Sequence, residues 1–123
     1  MSDNVYLGNP NLKKANTPIQ FSQENILEFV RCKEDPVYFA RKYIQIVSLD
    51  KGLVPFRLYD FQEKLVRNFH ESRFNICKMP RQTGKSTTVV SYLLHYAVFN
   101  DNVNIAILAN KASTARDLLG RLQ

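Results

Sequence analysis

The sequence predicts an α/β fold in which a parallel sheet is flanked by helices, preceded by a helical and extended N-terminal region. Two short apolar runs support this prediction. The run 74–78 precedes a loop and a long apolar helical pattern at 87–100, and the run 104–109 follows that pattern. A strand, a helix and a second strand in this order form a right-handed crossover, which makes both strands parallel in one sheet.

The chain divides into three predicted parts. Residues 1–20 are rich in Asn, Lys and Pro and show no apolar period, which predicts a flexible arm. Residues 21–58 carry helical patterns and then a hairpin-like segment, and residues 59–123 carry the strand, helix and strand unit. Because two parallel strands alone leave an edge without a neighbour, we expect residues 59–123 to be the first, incomplete part of a larger domain.

Local signals define the elements of residues 21–58. Ser22 is a suitable N-cap for a first helix, and Asp35 followed by Pro36 starts a second one. The turn sequence at 50–52 contains a glycine and separates two apolar runs, so it predicts a hairpin with Pro55 on an edge strand. The apolar face of the first helix is predicted to consist of Ile26, Leu27, Phe29 and Val30.

Two further helices are predicted in residues 59–123. Apolar side chains recur at helical spacing through residues 60–73, which predicts an amphipathic helix. Ser113 is a candidate N-cap for a final helix that carries three leucines.

The cysteines and histidines do not form a recognisable ligand set. Cys32 and Cys77 lie far apart without a CxxC or Cys/His pattern, so both are interpreted as buried thiols. His70 and His95 lie in amphipathic stretches and are interpreted as residues of the core edge or the surface.

Charge and hydropathy limit the class of protein. A total of 17 Lys and Arg against 11 Asp and Glu gives a net charge of +6, which suits either a polyanionic partner or a solvated basic surface. The apolar stretches fall short of the roughly 20 residues that span a bilayer, so no membrane insertion is expected. The N-terminal sequence does not resemble a secretory signal, so we expect the protein to work inside a cell.

Residues 79–87, Met-Pro-Arg-Gln-Thr-Gly-Lys-Ser-Thr, occupy the predicted turn from strand to helix and form a candidate phosphate-binding loop. Gly84 lets the backbone approach a phosphate, Lys85 reaches the β- and γ-phosphates, and Ser86 offers a hydroxyl to Mg²⁺. The amides that open the next helix point toward the anion. The candidate phosphate-binding residues are Gln82, Thr83, Gly84, Lys85, Ser86 and Thr87.

Two features extend this candidate site. The loop has Met79 where a first glycine is usual, and Arg81 adds a cation close to the place where γ-phosphate charge develops, unless its side chain points away into solvent. Upstream, Phe61 and Gln62 offer a ring for stacking and an amide for the edge of a base. The alternative is a solvent-facing glutamine beside a core phenylalanine, and the nearby phosphate loop favours the base-binding interpretation.

These motifs resemble the start of the large terminase subunit of T-even-type tailed phages. The likeness extends from about Ile19 to Gln123 and rests on four segments. They are Asp-Pro-Val-Tyr-Phe at 35–39, Leu-Tyr-Asp-Phe-Gln at 58–62, Pro-Arg-Gln-Thr-Gly-Lys-Ser-Thr-Thr at 80–88, and Ile-Leu-Ala-Asn-Lys at 107–111. The resemblance implies a P-loop ATPase that drives double-stranded DNA into the procapsid and, in the complete family protein, also cuts DNA.

The resemblance also implies roles for residues and partners. It implies that Lys85 and Ser86 bind the phosphates of ATP and Mg²⁺, that Arg81 is catalytic with Lys85, and that Phe61 and Gln62 contact adenine. The implied partners are DNA, the portal protein and the small terminase subunit, in a homo-oligomeric ring at the procapsid in the host-cell cytoplasm. The acidic residues that orient the attacking water in this family, and its nuclease domain, have no counterpart in these 123 residues, so we expect no ATP hydrolysis by this chain alone.

Two other interpretations remain open. A helicase or translocase of the two-lobe type shares an upstream glutamine and a phosphate loop, although such loops usually have small residues where this one has Met79 to Gln82. The chain is alternatively a docking module of the packaging machinery without enzymatic activity. Stabilisation of the fold by nucleotide would argue against a module that only docks.

Overall fold

The computed structural model describes residues 5–122, apart from the side chains of Val5, Pro10 and Asn11. Within these residues the chain has a mixed α/β fold with five helices and two antiparallel strand pairs. The helices are α1 (Gln23–Glu34), α2 (Pro36–Tyr43), α3 (Asp60–Glu71), α4 (Lys85–Phe99) and α5 (Ala112–Gly120). The strands are β1 (Val5–Tyr6), β2 (Asn9–Lys13), β3 (Gln45–Ser48) and β4 (Gly52–Pro55).

The first strand pair lies in the segment that the sequence analysis assigned to a flexible arm. Strands β1 and β2 form a short antiparallel hairpin, and its turn contains Leu7 and Gly8, both with positive φ. The side chains described in this hairpin are all exposed, so none of them belongs to the core. The apolar residues of this segment show no period, so the prediction from periodicity missed these strands.

The caps of α1 and α2 are those that the sequence predicts. The Ser22 side chain accepts a hydrogen bond from the Asn25 amide at 3.2 Å. Asp35 Oδ1 accepts from the Val37 and Tyr38 amides at 3.0 and 3.1 Å. Each cap satisfies amides that the first turn of a helix leaves unpaired. The side chains of Ser22 and Asp35 therefore determine where the two helices begin.

The second hairpin is also confirmed. Strands β3 and β4 pair antiparallel with Gln45 opposite Pro55 and Ser48 opposite Gly52. Gly52 has a φ of +69°, a conformation that glycine adopts without steric cost. The hairpin that the turn sequence at 50–52 predicts is therefore present, and its pairing starts at Ser48 and Gly52.

The core lies where α2, α3 and α4 pack together. Its largest fully buried side chains are Val37 from α2, Val66 from α3 and Thr88 from α4. Phe56, which follows β4, is also buried and connects the hairpin to this core. The amphipathic helix predicted at 60–73 is confirmed as α3, and the predicted helix at 87–100 begins two residues earlier as α4.

The predicted parallel sheet is not formed by the described residues. The runs 74–78 and 104–109 have no strand assignment, and among the described residues none of their backbone groups bonds to another backbone group. A helix satisfies its own backbone, whereas a strand needs a neighbour that completes the ladder. Neither run has such a neighbour among the described residues, so the prediction of two parallel strands is wrong for this part of the chain.

Three smaller expectations also need correction. Cys32 is buried as expected, but Cys77 is exposed, and it lies on the run 74–78, which has no strand partner among the described residues. The last helix starts at Ala112 after Lys111, so Ser113 is not its N-cap. The predicted apolar face of α1 is largely exposed, and its Phe29 ring packs against Phe99 with the ring centroids 5.2 Å apart.

The interpretation of His95 as a residue of the core is confirmed, because its side chain is buried in α4. None of the helices described between residues 5 and 122 is long and apolar enough to cross a membrane.

Candidate functional site

The loop before α4 has a defined shape. Gln82 and Gly84 both lie in the left-handed region, with φ values of 60° and 73°. The Thr83 hydroxyl donates to the Pro80 carbonyl at 3.0 Å, which closes the loop upon itself. The Lys85 ammonium group reaches back across the loop to the Met79 carbonyl at 3.4 Å. Alternation of right- and left-handed residues turns successive amides toward the inside of such a loop, which is a geometry suited to an anion.

The start of α4 leaves several amides without a partner. Gly84 is the N-cap residue and has no side chain that could accept from the first turn. Within the described residues, no backbone or side-chain acceptor bonds the amides of Lys85, Ser86 or Thr87. The first turn also contains no acidic residue. Free amides and the positive end of the helix dipole therefore coincide at this point of the chain.

The predicted phosphate ligands surround this helix start. Lys85, Arg81 and Gln82 are exposed, while Ser86 and Thr87 are half-buried. Arg81 makes no ion pair with any residue in the described part of the chain. In the structure Arg81 and Gln82 lie in the loop, whereas Lys85, Ser86 and Thr87 form the first turn of α4.

Gln62 lies against the loop and is 3% exposed. Its Oε1 accepts a hydrogen bond from the Tyr59 amide at 2.9 Å, and its Nε2 donates to the Thr83 carbonyl at 3.5 Å. A Cβ atom added to Gly84 would lie 2.7 Å from this Nε2. The solvent-facing alternative for Gln62 is therefore wrong, because its side chain fills the space between α3 and the loop.

In contrast to the buried Gln62, Phe61 is 44% exposed. Its ring stacks on that of Tyr59, with the centroids 5.8 Å apart and the planes inclined by 10°. Tyr59 is itself exposed and was not among the predicted site residues. Its position three residues before Gln62 is the spacing of a capping box, which was the available signal that these two residues belong together.

An apolar groove of about 250 Å³ lies beside Lys85 and Ser86. Both unpaired runs contribute to it, through Cys77 from the first and Ile107 from the second. Leu65, Met79, Val89, Val90, Leu93 and Leu118 complete its lining. One residue from each run thus lines this groove beside α4, and no backbone hydrogen bond joins the two runs among the described residues.

No family model matches this sequence.

Proposed function

We propose that this chain is the nucleotide-binding part of a viral terminase large subunit, the motor ATPase that packages double-stranded DNA into procapsids. The observation that carries the proposal is the loop of residues 79–84, whose left-handed Gln82 and Gly84 lead into the uncapped first turn of α4. This loop follows an apolar run and precedes a long helix, which is part of the strand, loop and helix context of a phosphate-binding loop, although the run 74–78 has no strand assignment.

The residues of the loop fit ATP and Mg²⁺. An anion at the start of α4 meets three amides that have no other acceptor among the described residues, so binding does not break an existing bond. Lys85 would exchange its long contact with the Met79 carbonyl for a phosphate oxygen. Ser86 would hold Mg²⁺ through its hydroxyl, and the ion would neutralise phosphate charge. Gln82, Thr83 and Thr87 complete the loop around the phosphates.

The exposed guanidinium of Arg81 has a separate role in this proposal. Because it carries a permanent charge and has no acidic partner in the described part of the chain, it is free to turn toward the γ-phosphate. A cation placed there stabilises charge that develops during phosphoryl transfer. Phe61, with the ring of Tyr59 parallel to it, offers an exposed aromatic surface for the base.

The complete motor is proposed to act as a ring on DNA at the portal of the procapsid, with the small terminase subunit as a further partner, in the host-cell cytoplasm. The net charge of +6 favours contact with a polyanion such as DNA. For the 123-residue chain itself we propose nucleotide binding without turnover, since it contains no acidic pair after a strand to orient water.

The test is an NMR titration of the ¹⁵N-labelled chain with Mg²⁺-ATP, read from the amide signals of residues 81–88. We expect saturable shifts confined to the loop and the first turn of α4, with a Kd of about 1 mM, which corresponds to about −4 kcal/mol. Lys85→Ala should abolish them with little change in thermal stability, because Lys85 is exposed. Lys51→Ala, an exposed lysine in the hairpin turn, is the matched control and should titrate as the unmodified chain does.

Two results would contradict the proposal. One is the absence of loop shifts at tens of millimolar Mg²⁺-ATP, and the other is an unchanged titration in Lys85→Ala. Sustained release of phosphate by the unmodified chain would instead overturn the expectation that it binds without turnover.

A further inference from the structure

Gln62 makes its polar contacts to the protein itself. Its side-chain carbonyl accepts from the Tyr59 amide at the start of α3, and its side-chain amide faces the Thr83 carbonyl and Gly84 in the loop. We propose that Gln62 is a positioning residue that holds the phosphate loop in shape, rather than the residue that reads the edge of the base. This inference rests on the proposed function, because it concerns the same loop.

Burial is the first argument. At 3% exposure, Gln62 offers almost no surface to a ligand outside the protein. A primary amide has two donor hydrogens and two acceptor lone pairs, and the structure uses one of each. Reading the edge of a base requires a donor and an acceptor presented side by side at an accessible position. Gln62 presents them to α3 and to the loop instead.

The fit of Gly84 is the second argument. A Cβ atom at this position would approach Gln62 Nε2 to 2.7 Å, closer than carbon and nitrogen atoms tolerate. The glycine therefore permits the φ of 73°, and its lack of a side chain leaves room for the end of the Gln62 side chain in its present position. The side chain and the loop backbone are complementary in shape, so removing the side chain removes the contact that holds residues 83–84 against α3.

The position of Gln62 in the fold is the third argument. It lies at N3 of α3, and Val66, one turn later, is fully buried in the core. Thr88, one turn beyond Gly84, is fully buried as well, and its hydroxyl donates to the Gly84 carbonyl at 2.8 Å. Gln62 therefore connects the start of α3 with the start of α4. Both helices are anchored in the core, and Gln62 fixes the loop at residues 83–84 against α3.

The experiment compares two ligands that share phosphates but not a base. The ¹⁵N-labelled 123-residue chain, Gln62→Met and Gln23→Met are each titrated with Mg²⁺-ATP and with Mg²⁺-tripolyphosphate at matched ionic strength. Methionine preserves the length of the side chain and removes its hydrogen bonds, and Gln23 is an exposed glutamine at the start of α1. Thermal unfolding of all three proteins verifies that they are folded.

We expect Gln62→Met to weaken both ligands by the same factor, roughly 2- to 10-fold for the loss of one or two hydrogen bonds. The ratio of the two Kd values should stay as it is in the unmodified chain, and Gln23→Met should change neither Kd. A loss of affinity for ATP alone would overturn the inference, because it would show that Gln62 contacts the base. Two unchanged Kd values would overturn it as well.

A measurement without ligand separates this inference from the proposed function. The backbone order parameters of residues 81–84 should decrease in Gln62→Met, from a rigid value of about 0.85 toward the flexible range below about 0.6. If the unmodified chain bound neither ligand, the proposed function would fail, and the order parameters would still decide whether Gln62 holds the loop. Unchanged order parameters would overturn the positioning role.

Discussion

Replacing His95 should show how the three core helices are joined to α1. Near the end of α1, the carbonyl of Cys32 would normally accept from the amide four residues later, but that residue is Pro36, which has no N–H. His95 Nε2 lies 2.7 Å from this carbonyl. Because a carbonyl only accepts, Nε2 carries the proton, and the imidazole replaces the donor that proline removes.

The cost of losing this bond follows from burial. Cys32 and His95 are each 3% exposed, so water does not readily reach the carbonyl when the imidazole is gone. A buried acceptor left without a donor costs about 1–3 kcal/mol, which for a chain of this size lowers the melting temperature by roughly 4–15 °C. We expect this loss in His95→Leu. His95→Gln should lose less, because the glutamine amide can donate at a similar reach.

The assay is urea unfolding of the unmodified chain and the two variants at pH 7.5, followed by circular dichroism. Tyr96→Leu, a replacement at an exposed position one residue further along α4, controls for the helix itself. Stability of His95→Leu equal to that of the unmodified chain would refute the reasoning. An equally large loss in His95→Gln and His95→Leu would show that the hydrogen bond is not the relevant contact.

The same residue predicts a pH dependence. Burial lowers the pKa of His95, opposed by its hydrogen bond to the Cys32 carbonyl, and the nearby His70 lowers it further. His95 is therefore neutral in the folded chain at a pH where the unfolded chain binds a proton. Stability should be complete above the ordinary histidine pKa of about 6.5 and decrease as the pH falls below it.

Few other titratable groups among the described residues lie near His95, so few could cause this decrease in stability at low pH. The Cys32 carbonyl faces it from α1, the Phe39 ring from α2 and the His70 ring from α3, while Tyr92 and Phe99 flank it on α4. The carboxyl of Asp35 is the acidic group that acts on it, and it raises the pKa of His95. His95→Gln should abolish most of the decrease between pH 6.5 and about 5, and a profile unchanged by this replacement would exclude His95 as its cause.

Three further predictions concern other parts of the chain. In the complete motor that we propose, Arg81→Ala should lower kcat more than nucleotide affinity, since a cation that acts on developing charge does not help the bound ground state; weaker binding with normal kcat would make it a binding residue. The Lys42 ammonium, 2.5 Å from Glu28 Oε1, donates to that carboxylate with Tyr43 and Tyr38 and lowers the pKa of Glu28 to about 2. Stability should therefore decrease as the pH falls from about 4.5 toward 2, and Glu28→Gln should reduce that decrease in acid unfolding curves. Val66→Ala should cost about 2 kcal/mol in urea unfolding because Val66 is fully buried, whereas the exposed Val47→Ala should stay within about 0.5 kcal/mol of the unmodified chain.

The sequence predicted best those features whose cause is local. Ser22 and Asp35 cap helices with side chains that lie within three residues of the amides they bind. Gly52 permits a turn conformation through its own backbone. The helix after the loop at 79–84 was found because its apolar residues are contiguous, although its start at Lys85 lies before them.

Features that depend on distant residues were missed, or their burial was predicted wrongly. The burial of Gln62 beside an exposed Phe61 cannot be read from residue type, since it results from the approach of the loop at residues 83–84 to α3. His95 was recognised as a core-edge candidate, but its partner is a backbone carbonyl 63 positions earlier in the chain. The exposure of Cys77 follows from the missing neighbour of its run, which a pattern of apolar residues does not reveal.

The contrast between the loop and the runs beside it explains how the left-handed loop geometry at Gln82 and Gly84 is held where the sheet is not formed. A strand needs a ladder partner, and the runs 74–78 and 104–109 have none among the described residues. The loop, however, is fixed from the other side, by the Gln62 amide and by the bond from the Thr88 hydroxyl to the Gly84 carbonyl. Both anchors belong to helices that pack in the core. The left-handed Gly84 and the free amides of α4 are therefore held by helix packing, while completion of a sheet along Cys77 and Ile107 would add support beneath the loop.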